Sequence, residues 1–120
     1  MATVAVDFDG VIHRYGRGWG DGTIYDEPVE GAFEALRALM AKHAVFVFTT
    51  REREPVAAWL RARGGFETTT RVPAKYWNQR GVLLVTDRKL PAIAYVDDRA
   101  VRFHDWEQAM ADIATFERKD

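Results

Sequence analysis

Two aspartates separated by one residue, Asp7 and Asp9, are the first side chains in this 120-residue sequence that could do chemistry. They end a short apolar run, residues 4–6, and Gly10 follows them. Because successive side chains of a strand alternate between its faces, we expect Asp7 and Asp9 on one side. Carboxylates so close repel each other unless a cation or a developing charge lies between them. The alternative interpretation is an ordinary strand-to-turn junction, since Asp and Gly are common turn residues.

The composition is that of an ordinary globular domain. Apolar residues make up 48% and charged residues 29%, and the formal net charge of −1 gives no overall field that would attract nucleic acid or an anionic membrane. The absence of cysteine excludes disulfides and thiolate metal sites. The N-terminus lacks a signal-peptide pattern, and no apolar run is long enough for a membrane span. We therefore expect one cytoplasmic domain over residues 1–120, with no membrane partner.

The hydrophobic pattern alternates between strands and helices. Short apolar runs predict buried strands at 3–8, 44–48, 82–85 and 92–96. Helical spacing predicts helices at 28–43, at 55–63 and after an N-cap at Asp105, the last with Trp106, Met110 and Ile113 on its inner face. This alternation predicts an α/β fold, a three-layer Rossmann-like parallel sheet with helices on both faces.

A polar side chain follows each of the later predicted strands. Thr49 follows the second, Lys89 lies just beyond the third, and Asp97 and Asp98 follow the last. Open α/β sheets bind ligands at the carboxyl ends of their strands, so these groups should converge with Asp7 and its neighbour on one edge. Taken singly, each residue also fits a strand-end cap, a solvated side chain or a turn. Their joint occurrence favours a functional site.

In order and spacing, residues 7–11, 48–49, 89 and 97–98 resemble the four motifs of the haloacid dehalogenase (HAD) superfamily, and the resemblance covers essentially the whole chain. The Asp-x-Asp-Gly form is similar to the phosphatase branch, because dehalogenases lack the second acid. The resemblance implies a Mg²⁺-dependent phosphoric monoester hydrolase. In that role Asp7 would be the nucleophile that accepts the phosphoryl group, and Asp9 would be the general acid and then the general base.

The resemblance also implies roles for the other motif residues. Thr49 would hydrogen-bond the phosphoryl oxygens and Lys89 would neutralise them. Asp98 would hold Mg²⁺ with Asp7 and the backbone carbonyl of Asp9, with Asp97 bound through water or supporting the ligands. Such roles agree with phosphoryl transfer, which needs an in-line nucleophile and compensation of negative charge. Thr49 is preferred to its neighbour as the hydroxyl because Thr50 and Arg51 then match a small-residue–Arg pair of related polynucleotide phosphatases.

The glycine-rich loop, residues 14–25, lies between the acid pair and the first predicted helix. Its glycines do not join a strand directly to a helix, which argues against a dinucleotide-binding fingerprint. We expect a mobile flap over the acid pair, or alternatively a surface hairpin with no role. The substrate-contacting residues are predicted to be Gly10, His13, Arg14, Thr50 and Arg51.

Neither the loop nor the stretch 51–88 has room for the cap domain of larger HAD phosphatases, so the chain resembles a capless member. Similar capless proteins act on large substrates or close their sites by forming homo-oligomers. Arginines near the predicted edge favour a phosphorylated substrate of high charge, a nucleic-acid 3′-phosphate or a nucleotide, unless they merely cover the surface. The alternatives are a small sugar or metabolite phosphate, or a non-enzymatic phosphoacceptor similar to response-regulator receivers, whose acceptor aspartate after a third strand has no counterpart after Phe48.

Overall fold

The computed structural model describes residues 2–71, 75–100 and 102–117, which form one five-stranded parallel sheet and three helices. The strands are β1 (Thr3–Asp7), β2 (Ala44–Phe48), β3 (Thr68–Thr69), β4 (Leu83–Thr86) and β5 (Ala94–Val96). The helices are α1 (Ala32–Met40), α2 (Arg53–Gly64) and α3 (Trp106–Glu117). The strand order is β3-β4-β2-β1-β5, so β1 lies inside the sheet between β2 and β5. The predicted α/β class with a parallel sheet is confirmed.

One face of the sheet carries the helical layer. Val6, Val47 and Val85 are in register on neighbouring strands and belong to one apolar cluster. Leu36 of α1 and Leu60 of α2, both almost fully buried, belong to the same cluster. Helices α1 and α2 therefore pack on the same face, as expected when two successive right-handed crossovers run in the same direction along a sheet.

The opposite face is covered by irregular segments. Phe46 and Leu84 are in register there and form a second cluster with Trp77 and Leu90, which lie outside the strands and helices. Trp77 also donates a hydrogen bond from Nε1 to the carbonyl of Val45, at 3.0 Å, so its polar atom is satisfied inside the core. No helix contributes to this cluster within the described residues, and helices on both faces remain a prediction.

The first helix begins later than the sequence predicted. Pro28 pairs with His13 in an isolated bridge, and the N–H of Val29 donates to the carbonyl of Ile12 at 2.7 Å. These contacts tie residues 28–29 to the chain that follows β1. Gly31 then takes a left-handed conformation, φ +82°, and α1 starts at the next residue. Long-range pairing thus replaced the first helical turn that the sequence favoured.

Two predictions about the C-terminal part of the chain were half right. Asp105 does cap α3, accepting a hydrogen bond from the N–H of Gln108 at 2.8 Å. However, Trp106, Met110 and Ile113 are 71%, 61% and 38% exposed, so the predicted inner face of α3 is wrong. Likewise β5 is an edge strand with an exposed Val96, rather than a buried one. Helical spacing shows which residues share a face, but another element must still cover that face.

Among the described residues, no helix combines the length and the apolar character needed to cross a lipid bilayer.

Candidate functional site

Three carboxylates meet where β1 and β5 end. Asp7 is the last residue of β1, and Asp97 and Asp98 follow β5, its parallel neighbour. One oxygen from each of the three side chains lies within 4.8 Å of the others. This is the convergence that the sequence predicted for these residues, and it follows from the register that pairs the two strands side by side.

Gly10 provides the space in which Asp98 lies. The residue has φ +85°, and a Cβ built there would lie 2.2 Å from Oδ2 of Asp98. Its N–H donates to the carbonyl of His13 at 2.7 Å, which closes the turn after β1. A residue with a side chain would therefore be strained and would also displace Asp98.

The surroundings of Asp7 disfavour the charged form of its carboxyl group. Burial, together with the smaller effect of the negative charges of Asp97, Asp98 and Asp9, raises its pKa from 3.8 to about 6. The N–H of Phe8, which donates to its Oδ1 at 2.9 Å, acts in the opposite direction. A cation bound among these oxygens would lower the pKa of Asp7 again. Hard carboxylate oxygens are also the ligands that Mg²⁺ prefers, so the residues present fit a divalent cation.

Both carboxyl oxygens of Asp9 are bound by hydrogen-bond donors. Nε of Arg51 lies 2.8 Å from its Oδ2, and Nδ1 of His13 lies 2.8 Å from its Oδ1. Because the backbone N–H of Asp26 donates to Nε2 of His13, at 3.0 Å, the imidazole proton is on Nδ1 and His13 donates to Asp9. Asp9 is thus fixed by one charged and one neutral donor.

His13 and Arg51 were predicted to contact substrate, and the structure places both side chains against Asp9 instead. His13 is fully buried and Arg51 is only 6% exposed. Arg51 also donates from Nη1 to the carbonyl of Gly22 at 2.7 Å. The sequence counted these residues as surface cations because burial is not visible in residue type. Arg14 is exposed but does not line the pocket described below.

A cavity of about 300 Å³, here called the acidic pocket, opens beside the three carboxylates. Its lining residues are Asp7, Asp9, Tyr15, Trp19, Phe48, Thr49, Thr50, Asp97, Asp98 and Arg99. The predicted site residues missing from this lining are Gly10, His13, Arg14, Arg51 and Lys89. From the sequence, no role was predicted for Tyr15 or for Phe48, although Phe48 stands in the second motif, and Arg99 was counted only among the arginines near the predicted edge. The position of Arg99 directly after Asp97 and Asp98 was a signal that could have found it.

Thr49 and Lys89 have different positions relative to the pocket. Thr49 lines it and is buried, with its N–H bound to the carbonyl of Thr86 at 2.9 Å and its Oγ1 accepting from the N–H of Arg51 at 3.1 Å. Lys89 is exposed, and its Nζ lies 5.4 Å from the ring centroid of Tyr95. The structure therefore brings the hydroxyl into the pocket but places the ammonium beside a neighbouring ring.

Comparison with known proteins gives a fold relationship and no family. No protein-family model matches the chain, and no curated protein matches it. The chain is similar to a solved structure described as the conserved protein coded by locus from Bacteroides thetaiotaomicron. That similarity has a TM-score of 0.51 at 28% sequence identity, and it covers 99% of this chain and 93% of the other. It supports a shared α/β fold along the whole chain.

Proposed function

We propose that this protein is a Mg²⁺-dependent phosphohydrolase of the HAD type, acting through a phosphoaspartyl intermediate on Asp7. The observation that carries the proposal is the meeting of Asp7, Asp97 and Asp98, with oxygens within 4.8 Å of one another, at the carboxyl ends of neighbouring parallel strands. Thr49, at the end of the next strand, lines the same pocket. These are the positions at which the sequence resembles the HAD motifs.

The three carboxylates and the glycine beside them fit the metal that this reaction needs. Asp7 and Asp98 would hold Mg²⁺, with Asp97 as a further ligand or as support. Gly10 leaves the space that Asp98 requires. Bound there, Mg²⁺ would supply the positive charge that offsets both the carboxylates and the phosphoryl oxygens.

The chemistry of the chain itself would run in two steps. An Oδ of Asp7 attacks phosphorus and the bond from phosphorus to the leaving oxygen breaks. That oxygen takes a proton from Asp9, which must enter this step protonated on one of the two oxygens that accept from His13 and Arg51. Asp9 then accepts a proton from a water molecule, whose oxygen attacks phosphorus and breaks the bond to Asp7. Inorganic phosphate leaves and both aspartates return to their starting state. The buried hydroxyl of Thr49 would donate to a phosphoryl oxygen.

Arg51 and His13 serve this mechanism by positioning Asp9. Their contacts, both 2.8 Å, fix the two carboxyl oxygens of Asp9 and so define where a proton is given or taken. The exposed Lys89 keeps its proposed role of neutralising the phosphoryl oxygens, and for that role its ammonium would have to leave the ring of Tyr95. Arg99 already lines the acidic pocket and is the other cation available there.

The proposal includes a minimal HAD-like fold of three layers without a cap. In the described residues, the connection from β1 to α1 is a loop, and the connection from α2 to β4 adds only β3, two residues long. An uncapped pocket is open to a nucleic-acid end or a nucleotide, which we favour as substrate. A small sugar or metabolite phosphate is the alternative. Because Arg51 is buried, fewer arginines are available to attract a highly charged substrate than the sequence suggested. The choice between a nucleotide and a sugar phosphate therefore depends on the residues that line the pocket.

A hydrolysis screen tests the function. We expect phosphate release with Mg²⁺ from at least one of three ester classes, 3′-phosphorylated oligonucleotides, mononucleotides and sugar phosphates. EDTA should stop the release and added Mg²⁺ should restore it. Asp7→Asn should remove turnover while the far-UV circular dichroism stays unchanged, whereas Asp112→Asn on α3 should retain it. Release of no phosphate by the folded protein, or full turnover by Asp7→Asn, would overturn the proposal.

A further inference from the structure

Trp19 is an exposed aromatic residue at the mouth of the acidic pocket. It belongs to the glycine-rich loop, is 52% exposed and lines the pocket together with Asp7. Single exposed apolar side chains are common on protein surfaces. The position of Trp19 differs because its ring is supported from one side, which leaves the remaining ring surface available to a ligand.

Arg51 provides the support. Its guanidinium carbon lies 4.4 Å from the centroid of the Trp19 ring, a stacking distance for a cation on an aromatic face. The same guanidinium binds Asp9 and the carbonyl of Gly22, so it cannot turn freely. One buried side chain therefore contacts both the indole and the carboxylate that we assign to proton transfer.

The backbone of the loop also fits the ring closely. A Cβ at Gly22, where φ is +86°, would lie 3.1 Å from Cζ2 of Trp19, and the N–H of Gly22 donates to the carbonyl of Trp19 at 2.9 Å. Tyr25 ties the loop further, since its hydroxyl accepts from the N–H of Arg17 at 2.7 Å and donates to the carbonyl of Gly18 at 2.9 Å. These contacts anchor the loop and position the indole at the pocket.

A second aromatic residue of this segment lines the same pocket. Tyr15 has φ +60°, the one positive value at a non-glycine residue in the described part of the chain. Such a conformation costs free energy in a residue with a Cβ, and strain of this kind is often found at functional sites. Together with Phe48, the two rings of the loop give the acidic pocket an aromatic lining, which favours a ligand with a planar group.

We propose that Trp19 is a stacking platform for the nucleobase of a substrate whose phosphate lies at Asp7. This inference rests on the proposed function and deepens it by naming the substrate class. Every base has a π-face, so the platform would favour nucleotides over sugar phosphates while discriminating little among bases. Because Arg51 contacts both the Trp19 ring and Asp9, it would fix the distance between the stacked base and Asp9. Trp19 is then a specificity-determining residue, and the phosphoryl chemistry belongs to the aspartates.

Two substrates that differ by the base alone provide the test. We would measure kcat/KM for adenosine 5′-monophosphate and for ribose 5-phosphate, with adenosine 3′-monophosphate and a 3′-phosphorylated oligonucleotide to distinguish a free nucleotide from a nucleic-acid end. Trp19→Ala should lower the nucleotide-to-sugar-phosphate ratio of kcat/KM by about 5- to 150-fold, the range for one base–aromatic stack, mainly through KM. Trp19→Phe should restore much of the ratio, and Tyr76→Ala, which alters an exposed aromatic residue outside the pocket, should leave it unchanged.

The outcomes separate this inference from the proposed function. An unchanged ratio in Trp19→Ala overturns the platform while the hydrolase stands. So does an equal loss with both substrates, because that result indicates a structural role. If the wild-type protein hydrolyses no ester, the proposed function fails, and calorimetric titration of adenosine 5′-monophosphate with Mg²⁺ still decides the platform. Weaker binding by Trp19→Ala than by wild type supports it, whereas equal binding, or none by either, overturns it.

Discussion

Oδ2 of Asp98 lies so close to the backbone of Gly10 that a Cβ at position 10 would be 2.2 Å from it. The turn after β1 therefore packs directly against the segment after β5, with no space for a side chain at position 10. Asp98 joins Asp7 in one oxygen cluster only because residue 10 has no side chain.

Gly10→Ala should weaken metal binding at least tenfold, because the methyl group displaces the Asp98 carboxylate. A loss of about 10- to 100-fold is typical when a support of a metal ligand is changed. Alanine at φ +85° should also cost about 1–2 kcal/mol of stability. Calorimetric titration with Mg²⁺ and urea unfolding measure the two effects.

Gly81→Ala is the matched control for this change. Gly81 has nearly the same φ, +83°, and a Cβ added there would meet no atom within 4 Å. The Gly81→Ala variant should lose a similar amount of stability and keep the Mg²⁺ affinity of the wild type. Equal Mg²⁺ affinity in the two variants would contradict the assignment of Gly10.

Asp7→Asn should stabilise the metal-free protein at neutral pH. The pKa of Asp7 is raised from 3.8 to about 6 in the folded protein, chiefly by burial. As pH rises from about 4 to about 6, the unfolded chain releases this proton first, so the stability of the wild type falls through that window. The full shift corresponds to at most about 3 kcal/mol, and less for a partly solvated group.

Urea unfolding in EDTA at several pH values measures this effect. The stability advantage of Asp7→Asn should grow from about pH 4 to about pH 6 and stay constant above, because asparagine does not titrate. Mg²⁺ should stabilise the wild type and not the variant. An advantage that is the same at every pH would show that the charge of Asp7 is not its cause.

Arg51→Ala should destabilise the protein by about 3 kcal/mol or more and lower kcat more than it raises KM. The buried guanidinium pairs with Asp9 at 2.8 Å, and removing one partner of a buried pair leaves the other uncompensated. Arg63→Ala removes a pair with Glu27 of the same 2.8 Å distance on the exposed surface, where solvent screens the charges and the loss of stability should be small. Similar losses in both variants, by urea unfolding, would contradict the structural role of Arg51.

Lys89→Ala should weaken inhibition by vanadate about tenfold or more, since a charged hydrogen bond to the phosphoryl group is lost. Lys42→Ala is the control, because Lys42 precedes β2 and so lies at the opposite edge of the sheet. Inhibition constants measured with the preferred ester compare the two variants. If Arg99→Ala weakens inhibition and Lys89→Ala does not, the phosphate-binding cation is Arg99.

Met110→Gln should change the free energy of unfolding by less than about 0.5 kcal/mol, because Met110 is 61% exposed on α3. Leu60→Ala should cost about 2–5 kcal/mol, because Leu60 is fully buried in the cluster under α2. Urea unfolding of both variants compares the two positions. A loss of more than about 2 kcal/mol in Met110→Gln would mean that the apolar side of α3 is covered after all.

The sequence predicted the class of fold and most of the acidic cluster for one reason. Strands and helices have different hydrophobic periods, and parallel strands place their carboxyl ends on one edge of the sheet. That logic located β2 correctly and predicted that Asp7, Asp97 and Asp98 would meet, with Thr49 beside them. Local capping chemistry similarly located the start of α3 at Asp105.

What residue types and spacing could not decide was where charged and aromatic side chains point. His13 and Arg51 are of residue types that usually lie on the surface, yet tertiary packing buries both side chains and turns them toward Asp9. Lys89 follows its strand as predicted, yet its ammonium lies over Tyr95. Long side chains reach several ångströms from their backbone positions, and only the neighbours that surround them select the direction.

By itself, then, the sequence determined the parallel α/β arrangement and the edge at which the aspartates gather, because both follow from periodicity along the chain. Only the tertiary structure decided that Gly10 makes room for Asp98, that Arg51 joins Trp19 to Asp9, and that α3 leaves its apolar side exposed. Those relationships depend on contacts between residues far apart in the chain, and no local pattern records them.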